Sequence, residues 1–156
     1  FDYQTVEAGA DEYVLPPLWN TGSQKITWDL NFPTNIADGW SWGSNYRFIG
    51  QCLLFLQQLP HARGVTDEQK RAWAAEANFL LAYYHMVTLV AYGPCPITDT
   101  YIDQATPESE YNGRMHFDYV KDWICQKFDE VCEDGQLPAT RTGDEWGRAL
   151  LSWPRP

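Results

Sequence analysis

The sequence predicts an all-α fold made of antiparallel helix pairs with long aromatic-rich loops. Three segments repeat apolar residues at three- and four-residue steps, which is the spacing of one helix face. No segment alternates apolar and polar residues over a convincing strand length. The connection between the first two helices is short, which favours an antiparallel pair. With 44% apolar residues in 156, the chain is long enough to bury a core.

The first predicted helix runs from about Ser44 to Leu59. Pro60 follows it and ends it, because proline has no backbone N–H to continue the helical ladder. The apolar residues at helical spacing in this segment are Phe48, Ile49, Cys52, Phe55, Leu56 and Leu59.

The second predicted helix spans about residues 67–92. Thr66 and Gln69 have the spacing of a capping box, and the Gly-Pro pair at 93–94 is a stop signal. Apolar residues nearly encircle this helix after Ala72, so it needs neighbours on several sides. The other two helices can cover only part of it. A missing neighbour is therefore indicated, as in helical-hairpin repeats that bury their faces by stacking.

The third predicted helix runs from about Phe117 to Asp134, with Gly135 as its stop. Its apolar stripe predicts one buried and one solvated face. The members of that stripe are Phe117, Val120, Ile124, Phe128, Val131 and Cys132.

The predicted organisation is one partial domain over residues 1–156. It divides into an aromatic loop region at 1–43, a helix pair at 44–92, a loop at 93–116, a helix at 117–135, and a loop with an incomplete helix at 136–156. The loop before the third helix is unusually long, and such loops are commonly functional or disordered.

Charge excludes several classes of partner. The chain carries 21 acidic against 11 basic side chains, a net charge of −10, and no cluster of Lys and Arg. Nucleic acids and anionic lipid surfaces are bound through such clusters, so neither is expected as a partner. No apolar run reaches the length of a transmembrane helix.

No catalytic, metal or cofactor motif is present. Cys52, Cys95, Cys125 and Cys132 lack metal-ligand spacing, and buried free thiols are expected. His85 lies in the crowded second helix and is expected to be a hydrogen-bonded core or groove histidine. A glycoside hydrolase fragment would need a defined carboxylate pair, and the plentiful acids single out none. We therefore expect no enzyme, no cofactor and no metal.

The feature with chemical content is an aromatic loop in which indoles alternate with small and polar residues. A sugar ring can lie flat on an indole, while neighbouring polar groups bond its hydroxyls. The expected ligand-binding residues are Trp40, Trp42, Asn45, Asp38 and Ser41. The alternative is that either indole packs on the first helix as a hydrophobic staple.

Four ordered segments resemble the N-terminal portion of the SusD/RagB family. They are 45–49 (NYRFI), 53–56 (LLFL), 75–85 (AEANFLLAYYH) and 92–97 (YGPCPI). The sequence departs from the family pattern in having Leu81 where an Arg is usual.

The resemblance implies tetratricopeptide-like helix pairs in a surface-exposed outer-membrane lipoprotein of Bacteroidota that captures glycan or another nutrient. It also implies a SusC-like TonB-dependent transporter as partner, and membrane attachment only through an N-terminal lipid anchor that this chain does not contain. The alternative is a helical-repeat interaction module that docks on a transporter or another partner without touching the ligand.

Overall fold

A computed structural model describes residues 41–103, 105–133 and 137. Over this part the chain forms three α-helices, two short 3-10 turns and no strand, which confirms the all-α prediction. The helices are α1 (Trp42–Gln58), α2 (Asp67–Tyr92) and α3 (Phe117–Glu133), and the turns are Leu59–His61 and Glu108–Glu110. The predicted aromatic region before residue 41 and the incomplete helix near residue 147 lie outside the described residues.

The chain divides into two compact units, and the division falls within α1, between Asn45 and Tyr46. The helical pairing described below belongs to the second unit. The single partial domain over 1–156 and its division stay a prediction. In the described part, no helix has both the length and the apolar character needed to cross a membrane.

Helix α1 begins at Trp42, two residues before the predicted start, because Ser41 caps it. The Ser41 hydroxyl oxygen accepts a hydrogen bond from the Ser44 amide at 3.4 Å. The Ser41 carbonyl accepts one from the Asn45 amide at 3.1 Å. Serine at this position satisfies amide groups that have no partner inside the helix. The helix then tightens into the 3-10 turn that contains Pro60.

Helix α2 has the bounds that the sequence predicts. The capping box is complete: the Gln69 amide donates to Thr66 Oγ1 at 3.2 Å, and the Thr66 amide donates to Gln69 Oε1 at 3.0 Å. At the other end Gly93 has φ +71°, and its amide donates to the Leu89 carbonyl at 2.9 Å. These local interactions explain why both ends could be predicted.

The core of the second unit lies where α2 meets its neighbours. Ile49 and Leu53 of α1 pack with Leu81 of α2 in one cluster. A second cluster joins Ala75 of α2 to Val131 of α3. The two helix pairs therefore share α2 as their common element.

The structure corrects the expected burial at several positions. Val90 of α2 is 69% exposed, so apolar residues do encircle α2 but are not covered on every side. Phe117, expected in the buried stripe of α3, is exposed at the first residue of that helix, where only one side of the helix is continued by a following turn. All four cysteines are free, but only Cys95 is buried: Cys52 and Cys132 are half-buried and Cys125 is exposed, so burial was wrongly expected for these three.

Candidate functional site

The predicted ligand residues that the structure describes lie together at the start of α1. Ser41 is exposed, Trp42 is half-buried and Asn45 is buried. Asp38 and Trp40 lie outside the described residues. The helix start thus brings three of the five predicted residues within one turn of backbone.

Asn45 carries a buried donor with no partner. The side chain is 4% exposed, and its Nδ2 atom makes no hydrogen bond. Leaving such a group unsatisfied costs about 1–3 kcal/mol, so native proteins rarely do so without a reason. The described part of the chain has no other buried side-chain nitrogen or oxygen without a partner.

The Trp42 side chain is half-buried. As the first residue of α1 it follows the exposed cap Ser41. A partly exposed indole keeps apolar surface in contact with water, which is the surface that a sugar face covers. Its position permits both stacking on a ligand and packing on the protein.

A second surface, which the sequence did not single out, is a groove of about 410 Å³ between α1 and α2. Phe55 and Leu80 on its walls are 42% and 41% exposed. The lining residues are Phe48, Gln51, Cys52, Phe55, Trp73, Glu76, Ala77, Leu80 and Tyr84. The sequence signal for this groove is the excess of apolar residues around α2. That excess predicts a missing neighbour but does not locate a groove.

Contacts between aromatic side chains stabilise the wall of this groove. The rings of Phe48 and Tyr84 stack with centroids 4.9 Å apart, and the Arg47 guanidinium lies 5.3 Å from the Phe48 centroid. Burial raises the pKa of the Cys52 thiol and, as the largest cause, that of the Tyr84 hydroxyl. Both groups are therefore protonated at neutral pH, and neither supplies an anionic nucleophile.

His85 is the expected core histidine. It is fully buried, with Nδ1 2.8 Å from the Leu81 carbonyl oxygen and Nε2 accepting from the Thr98 amide at 3.2 Å. A carbonyl can only accept, so Nδ1 carries the proton and the ring is neutral. Burial is the main cause that lowers the pKa of His85. Both ring nitrogens are occupied by backbone groups.

The charged groups of α3 form a solvated face. Lys121 lies 3.1 Å from Asp122, and Lys127 lies 2.9 Å from Glu130. Hydrogen bonds from Lys127 and then Gln126 lower the pKa of Glu130. Among the described residues no group of three or more His, Cys, Asp or Glu side chains is placed to hold a metal.

Solved structures share the fold of this chain. BT4246 is 50% identical, with a TM-score of 0.79 over 92% of this chain and 24% of that chain. A laminarin-binding SusD-like protein is 22% identical, with a TM-score of 0.75 over 94% of this chain and 31% of that chain. Surface glycan-binding protein A from Bacteroides fluxus is 22% identical, with a TM-score of 0.60 over 85% and 28%.

The fold is therefore that of SusD-like proteins. The chain corresponds to the N-terminal part of such a protein, which confirms the resemblance to the SusD/RagB family seen in the sequence. It spans 24% of the length of BT4246. No protein-family model matches the chain, and no curated protein matches its sequence.

Proposed function

We propose that this chain is part of a non-catalytic, surface-exposed glycan-binding protein that binds oligosaccharide through aromatic residues near the start of α1. The observation that carries the proposal is the half-buried Trp42 beside exposed Ser41 and the unpaired Asn45 amide. Two fold neighbours support the substrate class, since one is a laminarin-binding SusD-like protein and one a surface glycan-binding protein.

Stacking supplies the affinity in this proposal. Covering about 60–100 Å² of indole with a sugar face is worth about 1.5–2.5 kcal/mol at about 25 cal/mol per Å². Trp42 and Trp40 would provide the stacking surfaces. Ser41, Asp38 and Asn45 would bond hydroxyls, which orients the sugar and discriminates among glycans.

The proposal assigns no catalytic residue. In the described part, the buried histidine uses both ring nitrogens on backbone groups, so it has no lone pair left to act as a base. The protein would bind glycan and pass it to a SusC-like TonB-dependent transporter in the outer membrane. A lipid anchor would hold it at the cell surface of a member of the Bacteroidota.

Titration calorimetry of the full-length protein against a panel of neutral oligosaccharides, laminarin fragments included, tests the proposal. Because a neutral ligand offers no charge to screen, the dissociation constant should change less than about twofold between about 50 and about 500 mM NaCl. Absence of binding to every glycan in the panel would refute it.

A second candidate function is a helical-repeat interaction module. The open aromatic groove between α1 and α2 favours it, because exposed apolar surface of this kind is common at protein interfaces. Replacing Leu80 with Glu should then abolish co-purification of the SusC-like transporter while leaving glycan affinity unchanged. Replacing Val90, an exposed apolar residue that does not line the groove, with Glu is the matched control. Retained co-purification of the Leu80 variant would exclude the groove as the docking surface.

A further inference from the structure

We propose that His85 is an acid-sensitive latch that holds the 93–98 segment, and with it the 99–112 loop, against helix α2. The observation behind it is that the Thr98 amide donates to the unprotonated Nε2 atom of a buried ring whose Nδ1 atom is already committed to Leu81. A single added proton therefore converts the acceptor into a second donor facing Thr98.

The 93–98 segment has no regular secondary structure, and side chains from outside hold it in place. Tyr46 of α1 donates its hydroxyl to the Pro96 carbonyl at 2.7 Å. Asn112 donates to the Ile97 carbonyl at 2.8 Å, and Arg114 donates to the Pro94 carbonyl at 2.8 Å. The Met115 backbone amide donates a hydrogen bond to the Cys95 carbonyl at 3.4 Å. The loop from 99 to 112 is thus closed at its base by this segment.

Of these described hydrogen bonds, the one between the Thr98 amide and His85 is lost when the ring is protonated in the acidic range. Arginine stays charged throughout that range, and the asparagine side chain does not titrate. Burial is the largest of the causes that raise the pKa of Tyr46, so its hydroxyl remains a donor. Among these described hydrogen bonds, only the one from the Thr98 amide is accepted by a group, the imidazole of His85, that takes up a proton below neutral pH.

The surroundings of the ring determine how it responds to acid. Tyr46 of α1 lies with its ring centroid 6.4 Å from that of His85, and Trp123 of α3 lies at 4.9 Å. Tyr46 is neutral in the acidic range, and Trp123 does not titrate. Asp99, one residue beyond the latch, is the charged group that favours the protonated ring.

Protonation places an N–H at Nε2 opposite the Thr98 N–H, and the two donors cannot bond. Leu81 continues to accept from Nδ1, so the ring stays on α2 while the segment is released. The 99–112 loop then loses one of the anchors at its base. The helices keep their own contacts, so opening is local rather than global.

Hydrogen exchange followed by mass spectrometry on the full-length protein tests the latch, with rates corrected for the chemical effect of pH. Between pH ~7.5 and ~4.5 the opening of residues 93–112 should increase as the pH falls, by up to about tenfold for each pH unit, while residues 67–84 keep their protection. Unchanged protection of 93–112 across this range would overturn the proposal.

Two variants isolate the histidine responsible. His85→Gln keeps an acceptor for Thr98 but cannot take up a proton, so the pH response should disappear. His116→Gln, at an 80% exposed side chain, should leave it intact. An equal acid response in His85→Gln would overturn the latch. If that variant does not fold, the wild-type protein decides: simultaneous loss of protection at 93–112 and 67–84 would mean global unfolding and no latch.

Discussion

At the scale of single residues, two buried polar side chains differ in whether their hydrogen-bonding groups have partners. Every hydrogen-bonding nitrogen of His85 has a partner, whereas Asn45 Nδ2 has none. The satisfied group stabilises one arrangement of the chain around α2. The unsatisfied group costs stability, and such a group in a native protein calls for an explanation.

His85 should make the stability of the protein fall in acid. Burial lowers its pKa in the folded state, so the unfolded chain takes up the proton first as the pH drops below about 6.5. Stability from this group is complete above that value and is lost at up to about 1.4 kcal/mol per pH unit below it. Urea unfolding of the wild type and of His85→Gln at several pH values measures the difference. Identical pH slopes would contradict the assignment.

At the scale of elements, α2 depends on signals at its two ends. The capping box at Thr66 and Gln69 starts it, and Gly93 in a left-handed conformation stops it. Both signals are local in sequence. The chain then turns into a segment whose contacts come from α1, α2 and the stretch before α3.

Gly93→Ala should destabilise the protein by about 1–3 kcal/mol, because φ is +71° and an L side chain is strained there. Gly113→Ala is the matched control. Its φ lies outside the left-handed range and an added methyl would meet open space, so its effect should be small. Chemical denaturation monitored by circular dichroism compares them. Equal losses in the two variants would show that the turn after α2 does not require glycine.

The helices could be predicted from sequence because their periodicity and caps are local. The start of α1 was placed two residues late, since the periodic pattern begins after the Ser41 cap. The bond between Thr98 and His85 could not be predicted, because it joins a loop amide to a ring thirteen residues away. Phe117 has the helical spacing of a buried residue and is nevertheless exposed, because spacing alone does not determine how far along a helix its buried face extends.

At the scale of the whole molecule, two surfaces can serve function. The start of α1 was predicted from the alternation of indole and polar residues, and the structure brings Ser41, Trp42 and Asn45 together there. The groove was not predicted, since residues such as Trp73 and Leu80 have the spacing of core positions. Only the folded arrangement shows that α1 and α3 leave this side of α2 open.

The SusD-like neighbours are longer than this chain. The chain spans 24% of the length of BT4246, so the two surfaces are tested on the full-length protein. Different residues distinguish them. Trp42 belongs to the proposed glycan site and Trp73 to the groove.

The affinity of the full-length protein for its best oligosaccharide, measured by calorimetry for wild type, Trp42→Ala and Trp73→Ala, tests the central claim. Loss of about 1.5–2.5 kcal/mol of stacking predicts about 10- to 60-fold weaker binding for Trp42→Ala. Thermal unfolding verifies that each variant is folded. Trp73→Ala should bind like the wild type. Unchanged affinity in Trp42→Ala, or a loss confined to Trp73→Ala, would contradict the proposed glycan site.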